Sequence, residues 1–424
     1  MNTPAAHRLS PLHKLWRLLP AQRRRYLLSR GSALLAPGID RPPPPAKHGI
    51  VVAGDLSGAT GLGEAARLIR DGLTHSGVPT WELDLDALRS RPAGSSARPG
   101  GEASAGLPAG APLLMHVNAP LLPLALLRLP RAVVRGRRVI GYWLWELPTV
   151  PPEWALGAAF VHEAWVASRF TAEAVEKLLP GRVRVVPLPL AIAPPAPSAL
   201  DRSAFGLPDN AVVVLVSFNL ASSLERKNPY AAIAAFRAAF GGRPDRLLVL
   251  KVGNPCHFPS EFAVLAQAAA AAPNIRLETR VLPKADNAAL TASADIVLSL
   301  HRSEGFGLVP AEAMLLGKPV IATGWSGNMD FMDAESAALV GYRLVPARDP
   351  RGVYEVAGAV WAEPDQADAV AHLRRLADDA AARHALGQRA RAAAASRLGV
   401  AALAEAVRGL GLPLPPDRAS VEQP

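Results

Sequence analysis

Short apolar runs alternate with helix-period segments along most of this chain. The first series comprises HGIVVAGD (48–55), TWELDLD (80–86), APLLMHVN (111–118), RRVIGYWLWE (137–146), AFVHEAWVAS (159–168) and RVRVVPLPL (182–190). A second comprises AVVVLVSF (211–218), DRLLVLKVG (245–253), NIRLETRVL (274–282), ADIVLSL (294–300) and KPVIATG (318–324). These runs are rich in β-branched residues and leucine and lack strict alternation, as expected of parallel strands buried on both faces. Helical stretches such as PYAAIAAFRAAF and LVPAEAMLLG separate them. Two β/α series joined by the proline-rich AIAPPAPSALD (191–201) predict an α/β protein with two facing Rossmann-like domains, over 48–195 and 196–395. The segment 396–424 is expected to return as a helix to the first domain. The stretch 90–110 is of low complexity and reads as an exposed loop.

Length and composition change this picture little. At 424 residues, half of them apolar, the chain is long enough for two or three cores. No apolar run reaches the roughly 18–20 residues of a membrane-spanning helix. No signal peptide is evident, and Cys256 is the only cysteine, so an internal disulfide and a cysteine metal cluster are excluded. A cytoplasmic enzyme is the natural class.

Charge is uneven. Residues 1–47 hold nine Lys/Arg against one acid, Asp40, and so carry +8 of the net +10. This argues against a nucleic-acid groove built into the folded body. The leader reads either as disordered or as a broken amphipathic helix around Pro20 that touches an anionic membrane face.

Candidate chemistry concentrates in SEGFGLVPAEAM (303–314), just after ADIVLSL. The carboxyl ends of parallel strands are where α/β sheets bind ligands. Gly305 and Gly307 permit close backbone approach, and a helix starting near Leu308 offers free N–H groups and a positive dipole end to a diphosphate. Glu304 in the loop and Glu312 a turn inside the helix are placed for polyol and ribose hydroxyls. The unit reads as a nucleotide-sugar site.

The block EGFGLVPAE, with the strand before it and GKPVIATGWSG after it, resembles the E-x7-E motif of retaining glycosyltransferase family 4, which has the GT-B fold. The resemblance is clear in the C-terminal half, where WAEPD (361–365) also fits, and looser in the N-terminal half. It implies a UDP- or GDP-linked sugar donor and a glycan or lipid-linked acceptor. It further implies retention of configuration; no metal or other cofactor is expected, because no Asp-x-Asp ligand pair stands at either candidate cleft edge. Glu304, Lys227 and His116 become the catalytic candidates. Arg226, Gly305, Phe306, Gly307, Leu308, Glu312, Gly61 and Gly63 become the donor-binding ones. The family's usual arginine five positions before Lys227 is Ser222 here, so Arg226 is expected to supply the second cation.

In GYWLWELP, Trp143, Trp145 and Glu146 are candidates for an acceptor surface, because aromatic faces stack on sugars. Core packing is the competing reading for the tryptophans. Asn118 beside His116 has similar standing, Asp330 reads as structural and Cys256 as a plain thiol. An inactive GT-B glycan-binding protein is the alternative function; nothing points to a phosphorylase's pyridoxal lysine.

Overall fold

The computed structural model describes residues 18–19, 21–58, 60–85 and 106–414. Most of the loop expected at 90–110 and the first part of the basic leader lie outside these residues. Six strands form the first sheet: β1 (Ile50–Gly54), β2 (Thr80–Asp84), β3 (Leu113–Met115), β4 (Val139–Trp143), β5 (Glu163–Val166) and β6 (Val183–Val185). Their order is β2-β1-β3-β4-β5-β6, every neighbour parallel. β1, β3 and β4 are buried throughout, which is why they read as continuous apolar runs.

The second sheet repeats this plan with β7 (Val212–Asn219), β8 (Arg246–Gly253), β9 (Ile275–Glu278), β10 (Ile296–Ser299), β11 (Val320–Thr323) and β12 (Ala338–Val340). The order β12-β11-β10-β7-β8-β9 is again parallel. Its progression reverses between β7 and β10, so the crevice beyond their carboxyl ends is the ligand position of a doubly wound sheet. A feature absent from the sequence reading is the antiparallel hairpin of β13 (Tyr342–Pro346) and β14 (Val360–Pro364).

Three closing helices bring the chain back. Helix Gln366–Asp378 covers the second sheet, Ala380–Arg397 packs on Leu308–Leu315, and Ala401–Gly409 packs on Gly61–His75 of the first domain. The return passes beside the linker, where the Ala191 amide donates to the Leu398 carbonyl at 2.9 Å.

The leader corrects the expectation of disorder. Residues Ala21–Leu35 form a helix against helices Leu122–Arg128 and Trp154–Ala158. Beyond it, the Asp40 side chain accepts from the Gly136 amide at 2.5 Å, and the Asp40 carbonyl meets His162 Nε2 at 2.7 Å. Arg41 donates to the Ala159 carbonyl at 3.1 Å. This part of the leader is integral to the first domain.

Close packing of Ala380–Arg397 on the loop after Leu308–Leu315 depends on Gly387. A Cβ there would stand 2.1 Å from the Gly317 carbonyl oxygen. Alanine normally stabilises a helix interior by about 0.5–1 kcal/mol over glycine. Here we expect Gly387→Ala to destabilise instead, by roughly 1–3 kcal/mol, because backbone must move. Urea unfolding measures the sign; a gain in stability would show that the two segments separate freely.

Candidate functional site

Strands β7 and β10 are neighbours, so the segments leaving them meet. After β7 the chain makes one helical turn, Leu224–Lys227, capped by Ser223 Oγ accepting from the Arg226 amide at 3.3 Å. Asn228 follows in the left-handed conformation (φ 51°), with Pro229 opening the next helix. Arg226 and Lys227 are thus fixed on a short turn at the switch point. After β10, residues 301–307 cross the same edge.

That crossing is pressed against both domains. Ser168 Oγ, from the first domain, donates to the Gly305 carbonyl at 2.6 Å, and a Cβ on Gly305 would lie 2.8 Å from the Trp145 carbonyl. From below, the Gly327 amide donates to the Glu304 carbonyl at 2.8 Å, while Ser326 Oγ accepts from the Glu304 amide at 2.9 Å. Ser303 Oγ donates to the Glu146 carbonyl. The Glu304 backbone therefore has little freedom.

Its side chain is buried between cations. Glu304 Oε1 pairs with Lys227 Nζ at 2.5 Å and Oε2 with Arg226 Nη1 at 3.2 Å. Burial pushes this carboxyl up, but Lys227 first, then Arg226 and His301, outweigh it and hold it down at about 2. Burial dominates at Lys227, whose ammonium is shifted down despite Glu304, with Arg226 adding repulsion. Arg226 is more enclosed. It donates to the carbonyls of Ser222 (3.2 Å) and Ser303 (2.8 Å), lies 3.7 Å from Glu146 and sits over the Tyr354 ring at 5.3 Å. Burial works against its charge, but Tyr354, Glu304 and Glu146 favour the guanidinium more strongly, so it is shifted up. Lys227 is the more accessible cation; Arg226, expected on the donor, is committed to the protein.

Helix Leu308–Leu315 starts at Gly307 (φ 101°) and has no side-chain cap. Phe306 is turned into the core against Phe331, with ring centres 5.2 Å apart. Glu312, one turn on, lines a cavity of about 80 Å³ with Ser217, Lys284, Asn287 and Thr291. Burial and the nearby Glu64 carboxylate raise Glu312 to about 7, against the pull of Lys284. Glu64 belongs to the first domain and reaches Lys284 Nζ at 2.6 Å while holding Arg67 at 2.8 Å. Lys284, in the wall of the cavity, is thus held by an ion pair that joins the domains.

The glycine loop SGATGLGE ends on helix Gly61–His75. Thr60 caps it by accepting from the Gly63 amide at 3.0 Å; Gly61 faces open space, whereas a Cβ on Gly63 would strike the Asp55 carbonyl. Gly63 is thus needed for the turn itself. His116, at the end of β3, is buried and stacked on Tyr142 at 4.6 Å. Neither ring nitrogen has a partner among the described residues, and burial pushes the imidazole down to about 3. A neutral histidine with two free nitrogens is an uncompensated cost unless a ligand meets it.

The acceptor surface expected from Trp143, Trp145 and Glu146 is not where those residues lie. Trp143 is fully buried and Trp145 nearly so, both packed on Trp154; Trp145 Nε1 donates to the Thr149 carbonyl at 2.9 Å. Glu146 accepts from the Tyr354 hydroxyl at 3.1 Å and belongs to the charge cluster. Asn118 is consumed by two 2.9 Å bonds to the Leu144 backbone. Asp330 accepts from the Arg169 amide at 2.8 Å, a structural bridge between domains.

Several contributors escaped the sequence reading. Tyr354 comes from the loop between β13 and β14, and its ring packs on Trp145 at 5.5 Å. His301 is buried, with Ser299 Oγ at 3.0 Å and Asn328 Oδ1 at 3.1 Å. Ser326 adopts φ 81° to reach Glu304. The last did not escape wholly: SGNMDFM (326–332) reads from sequence as a source of backbone amides for the nucleotide base, whereas Ser326 Oγ meets the Glu304 amide. Among the described residues no three His, Cys, Asp or Glu side chains gather as a metal site.

Residues 212–363 match the family described as glycosyl transferases group 1. The chain is 32% identical to the D-inositol 3-phosphate glycosyltransferases of Thermobispora bispora and Kineococcus radiotolerans, over 211 and 238 residues. These alignments cover 46% and 54% of this chain, and 47% and 51% of the relatives, so it spans about half the length of the curated relatives it matches. Its fold is similar to that of Anabaena Alr3699/HepE, solved with UDP and glucose: TM-score 0.59 at 16% identity, covering 85% of this chain and 99% of that one. The architecture is GT-B: two facing Rossmann-like domains and a C-terminal helix crossing back to the first.

Glu304 has a pH signature. A carboxyl held at about 2 when folded, against 4.5 as its ordinary value, adds stability that is fully present above pH 4.5 and is lost as pH falls through 2. Glu304→Gln should shed that acid-sensitive component, flattening the fall in melting temperature across this window. An unchanged acid limb would remove Glu304 from the cluster's electrostatics.

Proposed function

We propose that the protein is a hexosyltransferase of the retaining glycosyltransferase family 4. It moves a sugar from a UDP- or GDP-linked donor to a glycan or lipid-linked acceptor without a metal. The observation that carries this reading is the Lys227–Glu304 pair at the switch point, immediately before the uncapped helix at Leu308. Without donor, each charge serves as the other's counter-ion. With donor, the diphosphate takes over Lys227 and the amides of Gly305–Leu308, and the released Glu304 carboxylate accepts bonds from sugar hydroxyls. Glu312 takes the ribose hydroxyls. Arg226 positions Glu304 and adds its field to the phosphate site. His116, with both nitrogens open, serves the transferred sugar. The activities of the curated relatives and the UDP held by HepE support this assignment of class.

In the transfer, the bond from anomeric carbon to diphosphate oxygen breaks with its electron pair leaving on the diphosphate. The acceptor hydroxyl oxygen bonds to the same face of that carbon, and its proton passes to the departing phosphate oxygen. Stabilisation of that leaving charge by preorganised donors is worth several kcal/mol in comparable sites. No observation favours the inactive glycan-binding reading, since Lys227, Glu304 and Glu312 are all present and assembled. A cytoplasmic setting at the membrane face fits a lipid-linked acceptor.

Lys227→Ala should weaken UDP or GDP binding roughly tenfold to a hundredfold, the scale of a charge-assisted hydrogen bond. Glu304→Gln should lower transfer by about two to three orders of magnitude and leave nucleotide binding measurable. Calorimetry and donor turnover check both; unchanged affinity in the first or full turnover in the second overturns the assigned role.

Burial and Glu64 raise Glu312 to about 7, and its ionised form accepts from both ribose hydroxyls more strongly than the neutral acid, which spends one oxygen as a donor. Nucleotide affinity is therefore expected to rise as pH increases through 7 and to plateau above it. Glu312→Gln should lose this component, leaving only the slope due to phosphate ionisation. Identical pH profiles for the two proteins would separate Glu312 from the ribose.

A further inference from the structure

Helix Ala21–Leu35 carries its polarity the wrong way round. Ser29 and Ser32 face the first domain and are buried, whereas Leu27, Leu28, Leu34 and Leu35 are 46%, 41%, 79% and 72% exposed. A surface helix ordinarily turns its leucines inward. Here the serine and alanine side permits close approach to helices Leu122–Arg128 and Trp154–Ala158, and Ser32 Oγ donates to the Leu28 carbonyl at 2.7 Å. The leucines are left over by the fold.

They are not scattered. Arg23, Leu27, Arg30 and Leu34 follow at spacings of four, three and four, which puts them on one stripe. All four are exposed, and the helix contains no acid. Beside the stripe runs a groove of about 620 Å³, which Tyr26 and Leu27 share with Pro151, Pro152, Val353 and Val356; Arg23, Arg25, Glu153 and Glu355 stand along it. Cations interleaved with exposed leucines suit one kind of surface. Nucleic acid would leave the leucines wet. A two-fold contact of this helix with its own copy would set arginine against arginine.

We propose that this stripe seats the protein on an anionic lipid bilayer. The helix lies in the interfacial plane, Leu27 and Leu34 enter the acyl boundary, and Arg23 and Arg30 meet lipid phosphates. The seat is tied to the site, because Arg25 donates to the Gly352 carbonyl in the loop that carries Tyr354 to Glu146. The inference rests on this helix and not on the transfer reaction, so either can fail alone.

The test is co-sedimentation of the full chain with phosphatidylcholine vesicles, with and without phosphatidylglycerol. Binding is expected only to the anionic vesicles and should weaken as salt is raised. The double substitution Leu27→Asp with Leu34→Asp should reduce it about tenfold or more while melting temperature and nucleotide binding stay unchanged. Arg23→Gln with Arg30→Gln should remove the preference for phosphatidylglycerol. Absence of binding by the parent chain, or equal binding by the aspartate variant, overturns the proposal. So does vesicle-free dimerisation that the aspartate variant abolishes, which would assign the stripe to a second copy.

Discussion

The site depends on one buried carboxylate held between two cations. Glu304 lies where water is excluded, so its charge survives only because Lys227 and Arg226 are within hydrogen-bonding distance. Removing either partner of such a cluster leaves an uncompensated buried charge, a far larger cost than losing an exposed ion pair. The same arithmetic makes the arrangement responsive to a ligand. On the proposed reading, a diphosphate that draws Lys227 away leaves Glu304 on Arg226 alone, and the hydroxyls of an attached sugar would restore the bond it has lost.

The fold serves this cluster by bringing two domains into backbone contact. Gly305 meets the Trp145 backbone without an intervening side chain and takes the Ser168 hydroxyl on its carbonyl, and Gly327 closes on it from the other side. Tyr354 completes the enclosure, its ring under Arg226 and its hydroxyl on Glu146. Charges contributed by the second domain are therefore buried by the first. Their electrostatics belong to the joined molecule and not to either sheet alone.

What the sequence made legible were the local features. Glu304, Gly305, Gly307, Glu312 and Lys227 sit on one loop-helix unit and one turn, so their spacing carries their placement. Parallel strands announced themselves through apolar runs buried on both faces. Contacts between distant segments left no such trace: Tyr354 and Glu146 are 208 positions apart. The tryptophans misled because aromatic rings serve cores and sugar surfaces equally well, and nothing local tells which side of a strand end is wet. In the leader the helical alternative, broken at Pro20, agrees with the helix Ala21–Leu35, but how that helix docks left no apolar signal. It docks through Ser29 and Ser32, and apolar periodicity, which is sensitive to leucine, marks only the opposite face.

The chain passes between the domains twice, and the two passages run side by side, joined where the Ala191 amide meets the Leu398 carbonyl. Paired tethers at one margin would make that margin the pivot of any rotation of one domain against the other. Relative movement there is small, while the opposite lips travel farthest for a given rotation. Contacts remote from such a pivot, rather than those beside it, would then set how far the two domains stand apart.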